Sequence, residues 1–132
     1  MIKNDRQYKI TKAQAEKFAK ALRNMSRASV QDIHPALAKA QREATKSQYE
    51  ELQQELKEYE ELKGGKRKTI RVNSFERLPV ALIQARIARG LTQKELAQRL
   101  GLKEQQIQRY EATEYQTASL KRVLEVAQAL AA

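Results

Sequence analysis

Apolar residues in this chain recur at steps of three and four, in separate stretches divided by polar or glycine-containing segments. Ala15, Phe18, Leu22 and Met25 make the first such stripe. That spacing predicts an amphipathic helix, with Thr11 as its N-cap. Residues 26–34 show no period and read as a turn. Pro35 has the fixed φ that suits a first helical turn, so it opens a second helix with Asp32 or His34 near the cap. This helix is expected to reach Lys63, about 44 Å at 1.5 Å per residue. Its apolar positions are Leu37, Ala40 and Ala44, followed by Tyr49, Leu52, Leu56, Tyr59 and Leu62 in near-heptad order.

A helix so long with one narrow stripe needs a partner surface. Two partners are compatible with the pattern. The first helix folds back in a hairpin, or two chains form a coiled coil through Tyr49, Leu52, Leu56, Tyr59 and Leu62. Since the first helix would cover only part of the second, the homodimer is the preferred expectation, with the same residues available to another protein. Residues 1–63 are thus expected to be a hairpin or coiled-coil segment.

Gly64-Gly65 should stop the long helix, and residues 64–74 read as a linker with weak strand character at 69–72. Its Lys66, Arg67 and Lys68 are either solvated or a basic arm along a DNA backbone. They are no phosphate loop, because the GxxxxGK[ST] spacing is missing. Residues 75–132 parse into short helices. Leu78, Leu82 and Ala85, with Ile83 and Ile87, mark one that ends at Gly90. Thr92 and Glu95 form a capping box for the next, whose buried face is Leu96, Ala97 and Leu100. Gly101 supplies a positive-φ turn, Leu102 plugs the angle, and a helix over 103–111 buries Ile107 and Tyr110. Ser119 caps a last helix with Leu120, Val123, Leu124, Ala127 and Leu130 inward.

Composition supports an all-α chain: Ala, Leu, Gln, Glu, Lys and Arg dominate, with four Gly and two Pro among 132 residues. The net charge of +10 makes nucleic acid the first partner to consider. Charge is ordered along the chain. Residues 1–42 carry ten basic and three acidic side chains, residues 43–62 two and seven, and residues 63–132 fourteen and six. An acidic helix end will not lie along phosphates, so the middle block is expected to face protein. Absence of cysteine rules out disulfides and thiolate metal sites. No apolar run approaches a membrane span, and the amino terminus lacks a signal-peptide core, so a soluble cytoplasmic protein is expected. His34 is the sole histidine, and the glutamates of the 50–61 run follow a helix face. No enzyme, cofactor or metal is therefore expected.

Two short helices joined by a tight glycine turn make a helix-turn-helix unit. Here the pattern T-Q-x-x-L-A-x-x-x-G-L-x-x-x-x-I-x-x-Y-E, from Thr92 to Glu111, resembles the lambda-repressor/Cro family, also called XRE. The resemblance covers roughly residues 75–131 and implies a compact DNA-binding domain that reads the major groove with helix 103–111. By position, Gln93 is implied to meet a phosphate. Glu104, Gln105 and Arg109 occupy the places that reach base edges, Gln105 suited to adenine and Arg109 to guanine. Lys103, Gln106 and Gln108 flank them as phosphate contacts. Glu104 has a second reading, as a favourable charge at a positive helix end. Glu111 is implied to be structural. Two departures stand out: Lys103 replaces the small polar cap, and Ala112-Thr113-Glu114 stands where Asn-Gly is common. The resemblance implies a bacterial or phage-type, nucleoid-associated transcriptional regulator, a repressor on an inverted repeat. The alternative is an antitoxin whose amino-terminal helices neutralise a protein toxin while the other domain autoregulates the operon.

Overall fold

The computed structural model describes residues 1–27, 34–65, 67 and 69–131. Among them the regular structure is entirely helical: α1 (Asp5–Arg27), α2 (Pro35–Lys63), a 3-10 turn (Phe75–Arg77), α3 (Leu78–Ala88), α4 (Gln93–Leu100), α5 (Glu104–Ala112) and α6 (Leu120–Ala131). The all-α expectation holds, and residues 69–72 form no strand. The chain divides into two compact units, Met1–Glu58 and Tyr59–Ala132. That division falls inside α2 rather than at its Gly64-Gly65 end.

In the first unit, α1 begins earlier than its apolar stripe suggests. Asn4, not Thr11, sits at the start, and its Oδ1 accepts the Gln7 backbone N–H at 2.8 Å while the Gln7 side chain accepts from Lys3 N–H at 2.9 Å. These bonds satisfy donors that a bare helix end would leave open. The extra turns carry the amino terminus back along α2, where its ammonium lies 3.4 Å from Glu55. Ile2, Ala15 and Leu56 are buried. The expectation that the acidic end of α2 is left without a partner is therefore corrected as far as Glu55, which the amino terminus ahead of α1 reaches. At the other end of α2, His34 Nδ1 accepts the Ala36 N–H at 3.2 Å, capping a helix that starts at Pro35. Asp32, the other expected cap, lies outside the described residues.

The proposed dimer seam is largely covered within one chain. Leu56, Tyr59 and Leu62 are buried and Tyr49 and Leu52 half-buried, so a coiled coil through this seam would first have to expose them. Leu37, at the start of α2, is 53% exposed.

The second unit is built around Ile83, Ile87, Leu96, Ala97, Ile107, Val126 and Leu130, all buried. Full burial of each large aliphatic side chain contributes about 1.5–3 kcal/mol. The capping box at α4 is present: Thr92 Oγ1 accepts Glu95 N–H at 3.0 Å and Glu95 Oε1 accepts Thr92 N–H at 3.2 Å. At the other end, Gly101 takes φ 69°, and the Gly101 and Leu102 N–H groups close onto Gln98 and Ala97 carbonyls. This paired closure of the last turn requires the left-handed conformation that glycine adopts without penalty. It turns the chain sharply from α4 into α5, which pack on each other.

In α6, Ser119 accepts the Arg122 N–H at 3.1 Å, as a cap should. The inward set differs from the expectation. Val126 and Leu130 are buried, whereas Leu120 and Leu124 are 72% and 54% exposed. The apolar arc of α6 is wider than the core that receives it, so its edge stays in solvent.

Candidate nucleic-acid interface

The helix over residues 104–112 is held by its inner face. Ile107 and Glu111 are completely buried and Tyr110 is half-buried. With those positions fixed inward, helical geometry sends Gln105 and Arg109, one turn apart, to the opposite side. Both are exposed, as are Lys103, Glu104, Gln106 and Gln108. The side chains expected to read or flank a DNA groove are thus all exposed, with Gln105 and Arg109 together on the face opposite the buried one. Gln108 Nε2 lies 3.5 Å from Glu104 Oε1 one turn earlier, so the Glu104 charge is partly engaged within the helix.

The start of α5 shows how the chain manages without a small polar cap. Lys103 has no acceptor in its side chain, but its backbone N–H donates to Gln106 Oε1 at 3.0 Å. Half of a capping box remains. Gln106 therefore spends its carbonyl oxygen on the helix end and keeps its NH2 group, the end that could reach a phosphate.

Gln93 is where the structure departs most from expectation. Its side chain is only 5% exposed, and Nε2 donates to Glu111 Oε1 at 2.9 Å. A side chain so placed is committed to the interior, which corrects its assignment as a phosphate ligand. The same Glu111 carboxylate receives Arg86 Nε at 2.6 Å and Arg86 Nη2 at 2.9 Å, while Arg86 Nη1 donates to the Leu91 carbonyl at 2.8 Å. This buried cluster ties α3, the start of α4 and the end of α5 together. Charge-assisted, bidentate pairing of this kind is the form in which two charges tolerate burial. Arg86 was not singled out in the sequence: it stands in an apolar run with its partner 25 residues away, and no local signal joins them.

After α5 the chain turns through two residues with positive φ, Glu114 (52°) and Tyr115 (59°). The Tyr115 N–H reaches back to the Tyr110 carbonyl and Glu114 N–H to Glu111, closing the helix as Gly101 does but without glycine. Tyr115 is buried and stacks on Tyr110, with ring centroids 5.8 Å apart. Burial, then the nearby Glu111 charge, pushes the Tyr115 phenol well above its usual range. That packing explains why the non-glycine turn persists. Among the linker cations, Arg67 is exposed, while Lys66 and Lys68 lie outside the described residues.

Residues 82–131 match a family model described as Helix-turn-helix. This part of the chain is a lambda-repressor/Cro-type helix-turn-helix domain. The match takes in α4, the Gly101 turn and α5 together with most of α3 and α6. Neither the curated proteins nor the solved structures compared with the chain gave a match. The helix-turn-helix domain marks the protein as a DNA-binding regulator. No helix among the described residues is long and apolar enough to cross a membrane.

Proposed function

We propose that the protein is a sequence-specific transcriptional repressor that sets α5 into the major groove, with Gln105 and Arg109 reading base edges. The observation that carries this reading is the sharing of one exposed face by those two side chains, above a helix whose inner face is locked by Ile107 and Glu111. Gln105 presents the paired donor and acceptor that match adenine, and Arg109 the fork that matches guanine. Lys103, Gln106 and Gln108 flank them toward the phosphates. Lys94, exposed in the first turn of α4, supplies the phosphate contact that the buried Gln93 side chain does not, beside the N–H groups of a helix start. One short helix covers only a few base pairs, which favours two copies on an inverted repeat.

The test is a binding titration at fixed salt on an operator selected from random duplexes. Arg109→Ala should cost about 1–3 kcal/mol on the selected site and little on unrelated DNA. Equal losses on both would reject base reading by Arg109.

A second reading keeps the DNA-binding domain and adds a protein partner. Glu50, Glu51 and Glu60 are exposed in the acidic 50–61 stretch of α2, which suits a basic toxin surface and would make the protein an antitoxin. Co-expression with the adjacent reading frame would test it. A toxin that stays active beside the full chain would remove this reading.

A further inference from the structure

The outward face of α1 has no part in the reading above, and its composition is one-sided. Arg6, Lys9, Lys12, Lys17, Lys20 and Arg23 are all exposed, against two exposed carboxylates on the same helix, Asp5 and Glu16. Helical spacing puts Arg6, Lys9, Lys17 and Lys20 on the side of α1 opposite Ala15 and Phe18, with Lys12 and Arg23 at the edges of that face. Among the described residues none of the six takes part in a salt bridge. Two exposed lysines of α2 behave differently: Lys39 and Lys46 pair with Glu43 and Glu50 one turn on.

We propose that this face of α1 is a second DNA-binding surface, one that tracks the phosphate backbone without reading sequence. The proposal rests on the DNA-binding reading of the helix-turn-helix domain. From Arg6 to Arg23 the row is about 26 Å long at 1.5 Å per residue. One strand of B-DNA presents a phosphate every ~3.4 Å, so several phosphates lie within reach of such a row. A bilayer is a poorer match, because a surface-bound amphipathic helix must bury its apolar face in lipid. Here Ala15 is already 3% exposed and Phe18 half-buried in the protein. A polyanion with regularly spaced charges needs only the cations. DNA held by one domain would also meet this face at the high local concentration that linkage within one chain provides.

Backbone contacts release counterions, so each one adds about 0.9 to the slope of log K against log salt on duplex DNA. The experiment uses the full chain and a random-sequence duplex of about 40 base pairs, titrated across ~50–200 mM salt. Three exposed lysines are replaced in K9Q/K17Q/K20Q, and a control, K39Q/K46Q/K57Q, removes equal charge from α2. The α1 variant should lower the slope by about 2–3 and the control by less than 1, with helix content by circular dichroism unchanged in both. An unchanged slope in the α1 variant, with the wild type still binding, overturns the proposal and leaves the helix-turn-helix reading intact. Equal falls in variant and control overturn it in favour of net charge alone. Salt-sensitive self-association that K9Q/K17Q/K20Q abolishes, with DNA affinity unaltered, overturns it in favour of an acidic partner face. Failure of the wild-type chain to bind any duplex removes the underlying DNA reading as well.

Discussion

Replacing Arg86 by Met tests whether the buried Arg86–Glu111–Gln93 cluster holds the recognition helix in place. Met fills most of the space left by the arginine stem but brings no donors. Glu111, which has no solvent exposure, would lose both guanidinium bonds, while the Gln93 amide still donates to it. The Leu91 carbonyl would lose its 2.8 Å donor too. Removing one partner of a buried pair costs about 3–5 kcal/mol, because the other charge stays buried without compensation. A domain of this size has roughly 4–11 kcal/mol of total stability at ~0.05–0.15 kcal/mol per residue. The variant should therefore lie near the edge of folding. Urea unfolding followed by circular dichroism reads the loss directly: with a slope near ~1.5 kcal/mol/M, the midpoint falls by about 2–3 M. Adding Glu111→Leu should recover much of the loss, since the pair as a whole has little net value against apolar packing. A loss below ~1 kcal/mol for Arg86→Met, or a double variant no better than the single, would refute the argument that an uncompensated carboxylate is the dominant cost.

Glu114 pays for a left-handed backbone that glycine adopts freely, and its side chain is exposed. Glu114→Gly should raise stability by about 0.5–1 kcal/mol, the balance of relieved strain and added chain entropy; a lower melting temperature would contradict this. The Thr92 backbone N–H, then the Thr92 hydroxyl, holds the Glu95 carboxyl below its ordinary value. A depressed folded-state pKa gives stability that is present above the unfolded value, near 4.5, and is lost as pH falls through the folded one. Melting temperature should drop on acidification in that window, and Glu95→Gln should flatten that part of the profile. A variant with the same acid slope as wild type would exclude Glu95 as its source.

The helices, the capping box at Thr92 and Glu95, the Gly101 turn and the outward placement of Gln105 and Arg109 were legible in the sequence. Each depends on residues within a turn or two of one another, where backbone sterics and helical period leave few choices. Other features depended on which surfaces meet. The start of α1 was set by Asn4 and its side-chain bonds, ahead of the apolar stripe. The burial of Leu56 and the approach of the amino terminus to Glu55 likewise had no local signal. The arc of α6 was read correctly as apolar, but only the core could decide that Val126 goes in and Leu124 stays out. Gln93 shows the limit most clearly. Its position in the motif pointed to a phosphate, yet its amide is claimed by Glu111, whose own burial depends on Arg86 from a different helix. Hydrogen-bond satisfaction in a closed interior is a property of the assembled fold, because every partner must arrive before the count can be made.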